Sequence, residues 1–415
     1  MTASESDGVD VSYADIERAR ERLDDDRVVK RTPVEESTSL GEFIGGEVYL
    51  KLEHLQWTGS FKTRGAYNKI SQDVAAGVDD FVAASAGNHA QGVALAATEC
   101  GADSTICMPK GAPQAKVDAT RDYGATVELV GSDFRETMDH AQSLVEGTDA
   151  EFVHAYDDPD IIAGQGTLGI EMYHDCPDAD TVVVPIGGGG LISGVSTAIK
   201  HLSPETRIIG VQATGAETVH ESLDKGMPVA LDEVDTIADG IATGGISERT
   251  LEIIERNIDE VVTVSDTQIA RAILLLLERA KQVVEGAGAA SVAAILSDDV
   301  DVEGETVMPL LCGGNLDMTM MRTLVVHALT DRKQLLQLRV RIDDEPGTMA
   351  ELSGIVGAHG ANIYTVRHDR SVGNLAVGEA YLVFNVETAG AKQAASIVDD
   401  IERAGYPVED ISDPA

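Results

Sequence analysis

One lysine in this chain stands where an amine could do covalent chemistry. In Gly59-Ser60-Phe61-Lys62-Thr63-Arg64-Gly65-Ala66 the lysine follows an aromatic residue and lies among small ones. Gly59, Gly65 and Ala66 would let a flat ligand approach closely, and an amine that loses its proton there could act as nucleophile or base. Taken singly, a Lys beside a Phe is more often a surface or capping residue, so the reading needs partners elsewhere in the chain. A second candidate is the run Gly187-Gly188-Gly189-Gly190 inside "DTVVVPIGGGGLISGVSTAIKHL". Four glycines between a buried strand and a helix leave N–H groups bare at the positive end of the helix, which suits a phosphate. A tight turn is the alternative, although it needs positive φ at only one or two glycines. A dinucleotide fingerprint fits poorly: counted from Gly187 the sixth residue is Ile192, and from Gly188 it is Ser193.

The elements that must hold these residues follow from periodicity. "YADIERARERL" puts Ile16, Ala19 and Leu23 on one helical face, after twelve polar residues expected to fray. "VYLKLEHLQ" reads as a strand leading into the Lys62 loop, and "TRGAYNKISQDV" as a helix with Ala66, Ile70 and Val74 inward. Lys62 thus falls at a strand-to-helix junction. From about residue 80 the alternation continues: "DFVAAS" strand, "AGNHAQGVALAATECG" helix, "DSTICMP" strand, then "KVDATRDYGATVELVG", a helix over 133–146, and "RIIGVQA" as a further strand. Strands alternating with helices at this spacing indicate a parallel sheet covered on both faces, an α/β fold.

The texture changes after residue 332. "LLQLRVRI" places Leu336, Leu338, Val340 and Ile342 on one face and Gln337, Arg339 and Arg341 on the other, as in a half-exposed antiparallel strand. A helix with Met349, Leu352 and Ile355 inward follows, then strands "ANIYTVRHDR" and "EAYLVFNVET", the helix in "AGAKQAASIVDDIERAGY", and a last strand near Pro407 to Ile411. The order is that of a split β-α-β module.

With 415 residues the chain is long enough for two or three units, and 43% hydrophobic residues mark it as folded despite a net charge of −40 from 31 basic and 71 acidic residues. That field repels nucleic acid and acidic lipid surfaces. So large an acid excess, with lysine scarce, resembles cytoplasmic proteins of organisms that accumulate molar salt, where screening relieves self-repulsion. Cys100, Cys107, Cys176 and Cys312 show no paired spacing, so neither a zinc knuckle nor a disulfide framework is indicated, and a reducing compartment fits. The N-terminus shows no leader pattern and the longest apolar run, Ala272 to Leu277, is too short to span a bilayer. A cytoplasmic protein is expected.

Three motifs in order, "GSFKTRGA", "SAGNHAQG" and "GGGGL", resemble those of the fold-type II pyridoxal phosphate enzymes, and within them the threonine and serine dehydratases, over residues 10 to 325. The tail from about 335 is similar to an ACT domain, the small module that binds regulatory amino acids. The resemblance implies a catalytic domain over 1–332, with a smaller subdomain at about 80–160, and an ACT domain over 335–415. It implies that Lys62 forms a Schiff base with pyridoxal 5'-phosphate beside Phe61, and arginine could not replace it. It further implies that Gly187, Gly188, Gly189, Gly190 and Leu191 hold the phosphate, and that Asn88 bonds the ring hydroxyl. Ser85, Ala86, Gly87, Asn88 and His89 would grip the substrate carboxylate. For His89 a core imidazole satisfied by backbone stays the competing reading. Cys312, in "LLCGGN", would lie against the pyridine nitrogen, where a neutral thiol makes a weaker electron sink than a carboxylate; an inert buried cysteine is the alternative. Gly240 would lie beside the ring and Glu285 would be the acid on the cofactor side.

The implied reaction is elimination of water from L-threonine, and less well L-serine, to 2-oxobutyrate or pyruvate plus ammonia, with Lys62 removing the α proton and the phosphate protonating the leaving hydroxyl. No metal is expected: cation-activated relatives carry an acid where this chain has Gln212, with Glu217 nearby. Family racemases carry a serine at the position of Ala86, which disfavours a serine or threonine racemase. Threonine synthase would need extra cationic residues near the pocket, and a catalytically silent amino-acid-binding protein would lack the cofactor's colour. A homo-oligomer is expected, dimer or tetramer, with an amino-acid effector at the ACT domain.

Overall fold

The computed structural model describes residues 11–24, 27–370 and 375–412. The first ten of the twelve residues expected to fray lie outside that range. The last two are ordered: Val11 is buried, and Ser12 caps helix α1 (Tyr13–Arg22) through a reciprocal pair with Asp15. The chain divides into two compact units, one ending at Leu316 and one beginning at Asp317.

In the first unit, β1 (Val34–Glu36), α2 (Thr38–Ile44) and β2 (Glu47–Lys51) precede a short turn of helix and α3 (Lys62–Ala76). Strand β2 is shorter than its apolar run suggested, because Lys51 turns inward to Glu171 and Asp175 and the chain then coils over Glu53–Leu55. Next come β3 (Asp80–Ala84), α4 (Asn88–Cys100), β4 (Asp103–Met108), α5 (Gln114–Asp122), β5 (Thr126–Leu129), α6 (Phe134–Val145) and β6 (Glu151–Phe152). These four strands form a parallel sheet of order β5-β4-β3-β6. The chain continues through α7 (Pro159–Asp175), β7 (Thr181–Pro185), α8 (Gly190–Leu202) and β8 (Arg207–Ala213). It ends the unit with α9 (Val219–Lys225), α10 (Glu248–Asn257), β9 (Glu260–Val264), α11 (Asp266–Leu275), α12 (Gly286–Ile295) and β10 (Thr306–Pro309). The second sheet has order β1-β2-β10-β7-β8-β9 and is parallel except for β1. Every residue of β7 is buried, as expected of a strand covered by helices on both faces.

Helices α3 and α7 approach closely. A Cβ on Gly65 would lie 2.7 Å from the Ile161 carbonyl oxygen, and one on Gly164 would lie 2.6 Å from the Gly65 Cα. The small residues after Lys62 thus make room for a helix, not for a ligand as their composition suggested: Gly65 meets α7, and Ala66 is fully buried in the core beneath the first sheet. The same contact carries a buried ionic network. Arg64, 1% exposed, donates to both carboxylate oxygens of Glu53 at 2.7 and 3.0 Å and to Glu171 on α7 at 2.7 Å.

The second unit opens with α13 (Met318–Asp331), which a short turn with Lys333 at φ 55 joins to β11 (Leu335–Asp343). The unit therefore starts ahead of residues 332–335, where the alternating pattern first becomes visible. Then follow α14 (Thr348–Ala358), β12 (Asn362–Asp369), β13 (Glu379–Glu387), α15 (Ala391–Arg403) and β14 (Val408–Asp410). The antiparallel sheet has order β12-β13-β11-β14, the ferredoxin-like arrangement. Leu336, Leu338, Val340 and Ile342 pack against Leu352, Val356, Ile397 and Ile401. Met349, expected inward, is 40% exposed, because the buried stripe of α14 runs through Leu352 and Val356, with Ile355 at its margin.

Candidate functional site

Lys62 is the first residue of α3, and the loop before it is zipped to the segment after β10. Ser60 bridges Gly313, the Phe61 N–H donates to the Cys312 carbonyl at 3.2 Å, and the Gly314 N–H donates to the Gly59 carbonyl at 2.8 Å. Two stretches about 250 residues apart in sequence thereby bring Phe61, Lys62 and Cys312 together. They line one cavity of about 540 Å³, within the range of small-molecule sites. The Lys62 Nζ donates to the Ala155 carbonyl at 2.8 Å. Burial lowers its basicity to about 8, against smaller opposing effects of Cys312 and Glu285. The amine lines the cavity, where it is a far better nucleophile than a surface lysine.

The glycine run reaches the same cavity from the end of β7. Gly189 has φ 91, and a Cβ there would lie 2.7 Å from the Thr250 Cβ. One on Gly188 would enter the Tyr156 ring, and one on Gly190 would lie 2.8 Å from the Tyr156 carbonyl oxygen. Thr250 Oγ1 donates to the Gly188 carbonyl at 3.0 Å and fixes the bend. Among the described residues, the N–H groups of Gly187 to Leu191 have no acceptor. Unsatisfied donors at the positive end of α8 are suited to an anion.

The loop Ser85–His89 opens α4 and also lines the cavity. The Asn88 Nδ2 donates to Glu285 Oε1 at 2.7 Å, and its Oδ1 accepts from Asn315 Nδ2 at 2.6 Å. Its amide is thereby held at both ends with one N–H to spare. Glu285 stands beside Gly240, where a Cβ would come within 3.2 Å of its Oε1 and 2.9 Å of the Ala287 Cβ. Burial raises the Glu285 carboxyl to about 7, opposed by the Asn88 hydrogen bond. The Cys312 thiol is pushed up strongly by burial and then by Glu285, so it stays neutral. His89 donates from Nε2 to the Val153 carbonyl at 2.9 Å, and burial, followed by Lys62, lowers its pKa to about 3. It is thus a neutral imidazole satisfied by backbone, the competing reading of that residue, while still facing the cavity.

The residues that the resemblance assigned to the cofactor and the substrate all line this one cavity, whereas Gly59, Gly65 and Ala66 do not. Sequence reasoning missed Tyr156, Thr250 and Asn315. Asp158-Pro159, a helix-start pair, could have placed Tyr156 just before α7. Asn315 ends the very "LLCGGN" that was singled out. Thr250 carries no signal, since it reaches Gly188 only through the packing of α10 on α8. Gln212 is occupied by the backbone of α9, accepting from the Thr218 and Val219 N–H groups, and Glu217 is paired with His220.

The donor set fits a flat aldehyde bearing a phosphate: a buried amine of depressed basicity, a bend of free N–H groups and a neutral thiol on one cavity. The relatives of the chain agree. It is 45% identical over 406 residues to an L-threonine ammonia-lyase of Thermotoga maritima, covering 96% of this chain and 99% of that one. Among solved structures it is similar to threonine deaminase isoform 2 of Solanum lycopersicum, with TM-score 0.72 and 36% identity over 76% of this chain and 86% of that one. It is also similar to maize serine racemase, with TM-score 0.72 and 33% identity over 78% and 99%. A family model described as pyridoxal-phosphate dependent enzyme matches residues 26–313. With that span and these relatives, the chain belongs to the pyridoxal-phosphate dependent enzymes, in their fold-type II architecture.

Proposed function

We propose that this protein is a lyase that deaminates L-threonine, and also L-serine, to 2-oxobutyrate or pyruvate plus ammonia. The observation that carries this is the Lys62 amine, lowered to about 8, on one cavity with a glycine bend whose N–H groups are free. The 45% identity to an L-threonine ammonia-lyase over nearly the whole chain supports the choice of substrate. Pyridoxal phosphate, when bound, supplies an electron sink for the α carbon of an amino acid. Gly187 to Leu191 would hold its phosphate, and Asn88, steadied by Glu285 and Asn315, its ring hydroxyl. Cys312, as a neutral thiol, would bring no charge to the cofactor ring. Lys62 can take the α proton onto Nζ, because a large share of its amine is neutral near pH 8. The positive end of α4 at Ser85–His89 suits the substrate carboxylate.

The likeness to maize serine racemase raises racemisation as a second reading. Ala86, however, lines the cavity with a methyl group, which can neither give nor take a proton. Incubation with L-threonine is expected to yield 2-oxobutyrate, and Lys62→Ala to abolish both the cofactor's yellow colour and turnover. D-threonine or D-serine formation without 2-oxoacid would favour the racemase, and neither product would leave a silent binder.

The ferredoxin-like unit supports an ACT-type regulatory role, with "DEPGT" and "GANI" as the amino-acid-binding segments and the unit pairing with a copy of itself in an oligomer. Isoleucine or valine should then shift activity or affinity. All four cysteines are free, as suits the cytoplasm. No helix among the described residues is long and apolar enough to cross a membrane.

A further inference from the structure

The smaller sheet carries a cluster that the chemistry at Lys62 does not use. Cys107 on β4 and Glu128 on β5 are register partners, so their side chains share a face of the sheet. Helix α6 covers that face: Ala141 packs with Cys107, and His140 reaches over to place its Nε2 2.9 Å from Glu128 Oε2. One donor atom from each of Cys107, Glu128 and His140 lies within 4.8 Å of the others, the one such group of mixed donors among the described residues. An ion pair lying over an inert thiol would account for Glu128 and His140 alone. It leaves unused the thiol of a free, fully buried cysteine on the same face of the sheet, packed among Val82, Ala84 and Ala141.

We propose that Cys107, Glu128 and His140 bind a thiophilic divalent cation of the zinc type, with water as the fourth ligand. One sulfur, one imidazole nitrogen and one carboxylate oxygen suit a borderline-soft ion, whereas magnesium and calcium take oxygen donors. Tetrahedral zinc bonds of about 2.0–2.3 Å set donor atoms roughly 3.3–3.8 Å apart, so the Cys107 sulfur has to draw in by up to about an ångström while the His140–Glu128 pair, now at 2.9 Å, opens to admit the ion. Binding forms a sulfur–metal bond and releases the thiol proton to solvent. The surroundings draw cations: Glu128 also lines a second cavity, of about 290 Å³, together with Asp79, Asp80 and Asp149. The cation would tie β4, β5 and α6 together. Helix α6 also supplies Phe134 and Met138 to the wall of the Lys62 cavity, so the tie would steady one side of the substrate site.

The test uses the untagged holoenzyme, dialysed against zinc with millimolar magnesium present to occupy surface carboxylates, and reads zinc-edge X-ray absorption. A single sulfur neighbour at about 2.3 Å is expected, absent in Cys107→Ser and retained in Cys100→Ser and Cys176→Ser. His140→Gln, on the solvent side of the cluster, should weaken zinc affinity at least about tenfold, since losing even an outer-shell partner costs that much. An all-oxygen shell, a sulfur neighbour that survives Cys107→Ser, or an unchanged affinity in His140→Gln would each overturn the proposal. The last remains decisive should Cys107→Ser fail to fold.

Discussion

At the scale of single residues the chemistry rests on one lysine made acidic by burial. With its pKa at about 8, about a tenth of the Lys62 amine is neutral at pH 7, against roughly one part in three thousand for an ordinary lysine. Lowering the pKa of a base extends its neutral form to lower pH. Cofactor-free protein should therefore take up pyridoxal phosphate at a rate that rises about tenfold per pH unit below 8 and levels off above it. Stopped-flow absorbance across pH 6–10 checks this; a rise continuing to pH 10 would mean that Lys62 is an unperturbed amine. Glu285 and Cys312 show the same cause with the opposite direction of shift, since burial raises both, favours their neutral forms as it does that of Lys62, and leaves the thiol uncharged.

At the scale of elements the site depends on two close contacts. Tyr156, just before α7, fills the space that a side chain at Gly188 would need. Gly188→Ala should overpack the bend at about 1–3 kcal/mol, and Tyr156→Ala should remove most of that penalty. Denaturation of the two single variants and the double variant gives the coupling. Additive losses would show that the ring and the new methyl never meet. The second contact is the ionic network under Lys62. Arg64→Leu leaves Glu53 buried without its partner, and stability should fall by about 3–5 kcal/mol, visible as a lower denaturant midpoint. A fall below about 1 kcal/mol would place Glu53 in contact with water.

For the whole molecule the governing quantity is charge. The chain spends scarce cations inside, with Lys51, Arg64 and Lys69 buried against carboxylates, while the surface carries most of the acid excess that makes a net of −40. Self-repulsion of that surface needs screening, and molar salt shortens the Debye length to about 3 Å. The melting temperature should rise between 0.1 M and 2 M KCl; equal values in both would remove salt adaptation as the reason for the composition.

Much of this was legible in the chain alone, because it depends on order and period. The strand–helix alternation, the α/β class and the alternating tail follow from which residues recur every second or every third to fourth position. The lysine, asparagine-loop and glycine motifs are local, so their residues could be named individually. Only the tertiary structure decided how they meet. Backbone pairing of Ser60 with Gly313 sets Cys312 beside Lys62, and Thr250 on α10 and Tyr156 in the segment before α7 shape the bend from elsewhere in the chain. Gly65 proved to serve α7 rather than a ligand, since glycine marks a need for space without saying what fills it. Burial, a property of the packed whole, then set the acidity of the amine.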